Sequence, residues 1–305
     1  MAVIGAFVLI ALAIVARNHF ADDGGGSSNG SGRPHKGGSA PVVACTPDLA
    51  AVCTALADQG SIAKDPPTLD LDGAATPDSK IDGWITWDPA PQIANFDAGQ
   101  PKVWGVADAL GSTSLAALAE GEVFGGLRSG CGEQVDWACF AKRWREWGMT
   151  IGVGDPTTAE GLSRLAPLAI ALAPDLDTEE LQPSDLRDIV TSPAIPQSDA
   201  ASMSLAATQP GKITLVIGPQ SLLEARANSP QGKNLRLEPR ALKPTRTATV
   251  VVAPRVGRDL GDPAGACEDD AVAKALESVG VVPCSDGRDD VDRAGFLYVV
   301  REKAS

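Results

Sequence analysis

Short apolar runs alternate along the chain with amphipathic stretches, and turn residues separate the two. Apolar runs of about four to eight residues are typical of buried strands, whereas apolar residues three or four positions apart are typical of helices. Strands and helices alternate through most of the chain, which predicts an α/β fold with mainly parallel sheets. The predicted strands span residues 42–45, 81–89, 102–107, 149–153, 213–217, 247–253 and 296–300. The predicted helices include residues 49–56, 115–119, 131–147, 158–173 and 271–279.

The region 149–173 carries a strand, a tight turn and a helix. Asp155 and its neighbours interrupt the strand as turn residues, and Thr158 is suited to cap the helix that follows. Pro167 should kink or split that helix, because proline removes a backbone N–H donor. A helix start that faces the carboxyl end of a strand offers N–H groups to a ligand with polar or negative oxygens. An ordinary strand–helix junction without a ligand is the alternative interpretation.

The glycines and the Asp-Pro pair of this region carry a resemblance to a known family. Gly152, Asp155, Pro156 and Gly161 follow a strand in an order that resembles a segment of the extracytoplasmic solute-binding proteins. The segment looks most like the two-lobed, type II group that includes molybdate- and sulfate-type receptors. The resemblance implies a two-lobed periplasmic-binding-protein-like fold in which this segment lines the cleft from the second lobe.

The resemblance also divides the folded part of the chain, residues 41–305, into lobes. It implies a first lobe of about residues 41–107 and 245–305, and a second lobe of about residues 108–244. A small solute would be held between them. In this arrangement Ser112, Thr113 and Ser114 stand at a helix start near the hinge.

Hydroxyl residues recur at the predicted helix starts, and family members that bind tetrahedral oxyanions use hydroxyls and main-chain N–H groups at such places. The resemblance places Thr46 at the first helix and Trp87 and Asp88 at the end of a strand beside the cleft. The alternatives are that Thr46 is only a helix cap and that Trp87 is a buried structural residue. The candidate ligand-binding residues are Thr46, Trp87, Asp88, Ser112, Thr113, Ser114, Asp155, Thr157 and Thr158.

The first forty residues predict export and a membrane tether. Residues 2–16 form an uncharged apolar run, which is short beside the roughly twenty residues needed to cross a bilayer but typical of a signal sequence. We expect residues 1–20 to be an uncleaved signal anchor, that is, a transmembrane helix; a cleaved signal is the alternative. Residues 21–40, rich in glycine and serine, predict a flexible linker. The folded part would then lie outside the cytoplasm on a single-pass anchor at the cell membrane.

Six cysteines in an exported chain favour disulfides, and they fall into three pairs whose members are close in sequence. The pair Cys45–Cys53 requires Cys45 to lie outside the helix, because eight residues along a helix separate Cα atoms by about 12 Å. Zinc is the rival interpretation, but the chain has no Cys-x-x-Cys motif and no histidine near the cysteines. The predicted disulfides are Cys45–Cys53, Cys131–Cys139 and Cys267–Cys284.

Several chemistries lack the residues that they need. The chain's two histidines, His19 and His35, precede the folded part, which therefore has no histidine for a catalytic triad or a metal site. The net charge of −13 argues against nucleic acid as a partner. A single tyrosine, Tyr298, argues against ferric iron, for which family members use paired tyrosines. A calcium loop around residues 286–292 stays open as an alternative.

These observations predict a membrane-tethered, non-catalytic binding protein without a cofactor. Its expected partners are a small-molecule or oxyanion ligand and a membrane transporter or envelope protein, so that it would serve transport or sensing. The alternative function is a cell-envelope interaction or scaffold domain on the same fold. A histidine-free hydrolase that uses paired carboxylates is a more distant alternative.

Overall fold

A pair of long antiparallel strands organises the sheet of this protein. The computed structural model describes residues 40–147, 151–153, 155, 157–173, 215–261, 264–288 and 293–304. Within these ranges seven strands form one sheet. They are β1 (Val43–Cys45), β2 (Gly83–Trp87), β3 (Asp108–Glu120), β4 (Ile151–Gly152), β5 (Leu215–Pro219), β6 (Leu237–Pro254) and β7 (Val282–Pro283).

The helices cover the sheet and connect its strands. Short 3₁₀ segments lie at Pro47–Leu49 and Ala264–Glu268. The α-helices are α1 (Ala50–Asp58), α2 (Leu71–Ala74), α3 (Ala90–Ala98), α4 (Gly121–Cys131), α5 (Trp137–Trp147), α6 (Ala159–Leu172), α7 (Gln220–Asn228), α8 (Pro230–Asn234), α9 (Asp270–Ser278) and α10 (Ala294–Ala304).

The strand order is β1-β2-β6-β3-β5-β4, with β7 added to β3. β3 and β6 pair over nearly the whole length of β3, from Asp108 opposite Val252 to Glu120 opposite Leu237. The strand β2 pairs with the last residues of β6, and β1 with β2. The strand β5 pairs with residues 115–118 of β3, and β4 with β5. The β3–β6 pair therefore has β2 and β1 at one end and β5 and β4 at the other.

The expectation of mainly parallel pairing is wrong. The pairs β1–β2 and β4–β5 are parallel, whereas the pairs that β3 and β6 make with each other and with β2, β5 and β7 are antiparallel. The alternation of strands and helices predicted helical crossover connections, which join parallel strands. Instead, β6 runs antiparallel to β3. The α/β class itself is correct.

The predicted helix at residues 115–119, with Ser112, Thr113 and Ser114 at its start, is also wrong. All of these residues lie inside strand β3. Alanine and leucine favour helices by less than about 1 kcal/mol per residue, and pairing with strands on both sides of β3 outweighs that preference. Leu115 and Leu118 are fully buried in the resulting sheet.

Other predicted elements match in part. Residues 102–107 contain only an isolated bridge between Trp104 and Arg255, and the strand begins at Asp108. Residues 296–300 belong to helix α10 rather than to a strand, because a short apolar run fits a buried helix as well as a buried strand. Pro167 lies within α6, which continues through it to Leu172 without being split.

All three predicted disulfides are present. Their Cα–Cα distances of 6.3, 5.8 and 5.3 Å fall within the usual range for a disulfide. Cys45 ends β1 and Cys53 lies in α1, so the chain folds back between them as this pair requires.

The predicted anchor at 1–20, all of the predicted linker at 21–40 except its last residue, and residues 174–214 lie outside the described residues. Within the part of the chain that the structure describes, no helix combines the length and apolar character needed to cross a membrane.

Candidate functional site

Polar side chains converge where the carboxyl ends of β1 and β2 lie near the start of α6. Thr46 and Asp48 follow β1, Trp87 ends β2, and α6 packs against β2. Asp70 reaches the same place, because residues 67–69 run beside the end of β1 through hydrogen bonds to Cys45. We call this group the strand-end cluster: Thr46, Asp48, Asp70, Trp87, Glu160 and Arg164.

Asp48 and Trp87 are joined directly. The indole Nε1–H of Trp87 donates to Oδ2 of Asp48 at 2.6 Å, and Trp87 is only 1% exposed. Burial raises the pKa of the Asp48 carboxyl, while the indole hydrogen bond and the charge of nearby Arg164 act in the opposite direction. Trp87 is thus a buried structural residue that also orients Asp48.

The Thr46 side chain is buried without a hydrogen-bond partner. Thr46 is 1% exposed, and its Oγ1 makes no hydrogen bond. Its hydroxyl lies close enough to the Asp48 carboxyl to lower the pKa of that group, although the geometry is not that of a hydrogen bond. Its backbone N–H donates to the carbonyl of Ile85 at 3.1 Å. Since buried hydroxyls are normally bonded, the cluster contains an unused polar position.

The start of α6 forms as the sequence predicts. Thr158 Oγ1 accepts a hydrogen bond from the Gly161 N–H at 3.1 Å, which is the expected N-cap. Asp155 Oδ1 accepts from the Thr157 N–H at 2.9 Å and from its hydroxyl at 2.7 Å. These side chains therefore stabilise the turn and the cap.

A side chain from another part of the protein also bonds to this helix start. Asp70 Oδ1 accepts from the Ala159 N–H of α6 at 3.0 Å and from the Leu71 N–H of α2 at 2.8 Å. Burial raises the pKa of the Asp70 carboxyl, and the nearby charges of Asp72 and Asp155 add to the rise, while both N–H bonds oppose it. The carboxylate of Asp70 occupies the kind of position that was predicted for an oxyanion.

Glu160 and Arg164 form a buried ion pair one turn apart on α6. Their side chains are 7% and 2% exposed. The candidate residues predicted from the sequence included neither Glu160 nor Arg164. The four-residue spacing of glutamate and arginine was the available signal, but nothing in the sequence showed that the pair would be buried.

The remaining predicted residues lie along the long strand pair. Asp88 donates its backbone N–H to the Thr249 carbonyl at 2.8 Å. The hydrogen bond with Asp286 raises the pKa of Arg288, and the charge of Asp88 adds to that rise. Ser112 bonds to Ser285 through its N–H at 2.9 Å and through its hydroxyl at 2.8 Å. Thr113 and Ser114 stand opposite Ala248 and Thr247 in the sheet.

A strap of residues 282–288 crosses this part of β3. Pro283 pairs with Gly111, and Arg288 donates to the Ala107 carbonyl at 2.7 Å. Thr247 donates to the carbonyl of Gly287. The disulfide from Cys284 ties the strap to the 3₁₀ segment that precedes α9.

No set of three histidine, cysteine, aspartate or glutamate side chains is arranged to hold a metal ion among the described residues. A cavity of about 300 Å³ lies between α4, residues 133–135 and residues 239–243 of β6. Its lining includes none of the predicted ligand-binding residues.

Comparison with known proteins identifies the class of fold. No protein-family profile matches the chain, and no curated protein matches it, but solved structures do. They show that the chain has the type II periplasmic-binding-protein-like fold.

Two solved structures illustrate the likeness. One is the periplasmic binding protein AfuA from Actinobacillus pleuropneumoniae with exogenous fructose-6-phosphate bound; it is 11% identical, with 87% of this chain and 95% of that chain covered and a TM-score of 0.50. The other is apo FutA2 from Synechocystis PCC6803, which is 13% identical, with 87% and 96% covered and a TM-score of 0.53. Identities this low establish the fold and leave function to the site.

Proposed function

We propose that this protein is a non-catalytic, extracytoplasmic binding protein that holds a small solute at the strand-end cluster. The observation that carries the proposal is the buried Thr46 hydroxyl without a partner, beside the Asp48 carboxyl. An unsatisfied buried polar group costs about 1–3 kcal/mol, and a ligand atom that bonds to it would recover that cost. A solved example of the same fold carries a sugar phosphate.

We further propose that the solute lies between two lobes, residues 41–107 with 245–305 and residues 108–244. The strand pairing supports this division, because β2 joins one end of the long β3–β6 pair and β5 joins the other. In this proposal residues 1–20 anchor the protein in the cell membrane and residues 21–40 tether it. A transporter or envelope protein would be its partner in transport or sensing.

The second candidate function is a scaffold or interaction domain without a small ligand. It is favoured by the carboxylate of Asp70, which already bonds to the N-terminus of α6. It is also favoured by the burial of Glu160 and Arg164. In a scaffold these side chains would occupy the positions of a ligand's polar groups, so the fold would be stable without a ligand.

A thermal-shift screen of the full chain separates the two candidates. The panel would contain oxyanions, sugars, amino acids, amines and metal ions. A ligand at a hundredfold its dissociation constant stabilises a protein by about 2.7 kcal/mol, which raises the melting temperature visibly. If the protein binds a small solute, one class of compound should raise the melting temperature. Thr46→Val should weaken that effect, whereas Glu238→Gln, a substitution on the surface, should not. If no compound in the panel raises the melting temperature, the binding-protein proposal is contradicted and the scaffold is favoured.

A further inference from the structure

Apart from the hydroxyl of Thr46, the hydrogen-bond donors of the strand-end cluster are already used by the protein itself. The indole N–H of Trp87 donates to Asp48, and the Ala159 N–H donates to Asp70. The guanidinium of Arg164 is paired with Glu160. An oxyanion needs several donors and the Thr46 hydroxyl supplies only one, so an oxyanion would have to displace at least one of these carboxylates.

The hydroxyls at the start of α6 are used in the same way. Thr157 donates to the side chain of Asp155 at 2.7 Å, and Thr158 donates to the backbone carbonyl of Asp155 at 2.7 Å. Thr157 and Thr158, which were predicted to bind an oxyanion, therefore donate their hydroxyl hydrogen bonds to Asp155 instead.

The charge of the cluster is negative as well. Asp48, Asp70 and Glu160 contribute carboxyl groups, and Asp155 lies close enough to Asp70 to act on it. Among the described groups that shift the pKa values of Asp48 and Asp70, Arg164 is the only cation. Like charges in a half-buried site disfavour a further anion and favour a cation. The net charge of −13 for the whole chain adds to that preference.

From this excess of acceptors over donors we infer that the strand-end cluster binds a small organic cation with a primary ammonium group. The inference rests on the proposed function and replaces the predicted oxyanion. An ammonium group carries three donors and no acceptor, which complements the Asp48 carboxylate and the Thr46 hydroxyl oxygen. A metal ion fits less well, because no three ligating side chains are arranged around one among the described residues.

The buried hydroxyl of Thr46 makes the inference specific. A primary ammonium can donate a hydrogen bond to Thr46 Oγ1, whereas a quaternary ammonium of the same charge has no N–H to donate. Ethanolamine and choline differ only in three N-methyl groups, so they form a matched pair of probes.

The experiment is calorimetry and thermal shift on the full chain at fixed, low ionic strength, since salt screens partly exposed charges. The probes are ethanolamine and putrescine as primary amines, choline as the quaternary control, and phosphate, sulfate and molybdate as oxyanions. We expect a primary amine to raise the melting temperature, choline to bind at least tenfold more weakly than ethanolamine, and the oxyanions to have no effect.

Two variants test the named residues. Asp48→Asn should weaken binding of the primary amine at least tenfold, because it removes the charge that the ammonium contacts. Thr46→Val, which keeps the shape of the side chain, should bring the affinity for ethanolamine down to that for choline, and it serves as well if the first variant does not fold. Glu238→Gln, in an exposed ion pair with Arg240, should leave binding unchanged.

The outcomes separate this inference from the proposed function. Binding of an oxyanion, or equal binding of choline and ethanolamine, would overturn the primary-ammonium inference and leave the binding protein standing. If none of the probes binds and the wider panel is also silent, both are overturned.

Discussion

The strand-end cluster and the strap place the same residue types in opposite surroundings. In the cluster, burial raises the pKa values of Asp48 and Asp70. In the strap, Asp286 is exposed and accepts hydrogen bonds from Arg288 at 3.0 and 2.7 Å, which lower its pKa. The comparison shows that burial, rather than the number of carboxylates, distinguishes a candidate site from solvated surface charge.

The two regions also differ in what they do for the fold. The strap connects β3 to the segment before α9 through β7 and the Cys267–Cys284 disulfide. The strand-end cluster joins residues that are far apart in sequence around the start of α6. Loss of a buried group in the cluster should therefore cost more than loss of an exposed charge in the strap.

The largest expected effect follows from breaking the buried ion pair. Glu160→Ala leaves the Arg164 guanidinium buried without its carboxylate, which typically costs about 3–5 kcal/mol of unfolding free energy. Glu238→Ala is the matched control, because it breaks an exposed pair with Arg240 worth about 0–1 kcal/mol. Urea denaturation measures both values. Equal losses would show that burial does not decide the contribution of the pair.

A smaller effect is expected at the start of α6. Asp70→Ala removes the acceptor of two backbone N–H groups and should lower the unfolding free energy by about 1–2 kcal/mol. Asp70→Asn keeps an acceptor oxygen and should cost less than the alanine variant. The neighbouring exposed Asp72 provides the control, and Asp72→Ala should change stability little. A loss for Asp72→Ala as large as that for Asp70→Ala would exclude the capping role.

The smallest effect is a pair of pH dependences with opposite signs. Asp70 has a raised pKa, so its contribution to stability is largest below its unfolded value of about 3.9 and is lost as the pH rises through the folded value. Asp286 has a lowered pKa, so its contribution is present above about 3.9 and is lost as the pH falls through the folded value.

The measurement is the unfolding free energy of the wild type minus that of Asp70→Asn, followed from acid to neutral pH. That difference should fall with rising pH, by less than the limit of about 1.4 kcal/mol per pH unit for one group. The corresponding difference for Asp286→Asn should rise, by less than about 0.5 kcal/mol in total, because solvent screens an exposed pair. If both differences in unfolding free energy changed in the same direction with pH, the proposed contrast between the cluster and the strap would be contradicted.

The sequence by itself determined the features that depend on neighbours within one or two turns of chain. Thr158 caps α6 because its acceptor and the Gly161 N–H are three residues apart. The disulfides link local couples with separations of 8, 8 and 17 residues. The strand–turn–helix at the start of the folded part and the α/β class follow in the same way from local apolar patterns.

The tertiary structure decided what depends on distant partners. Residues 115–119 form a strand because β6 pairs with all of them and β5 pairs with residues 115–118, against their local helix preference. Asp70 lies 89 positions from the α6 residue that it caps, and Trp87 lies 39 positions from Asp48. Sequence reasoning predicted donors at the helix start but not the carboxylates that bond to them. The sequence therefore predicted an oxyanion, whereas from the structure we infer a cation. Burial and long-range hydrogen bonds set the electrostatics of a site, and neither is encoded at a fixed spacing along the chain.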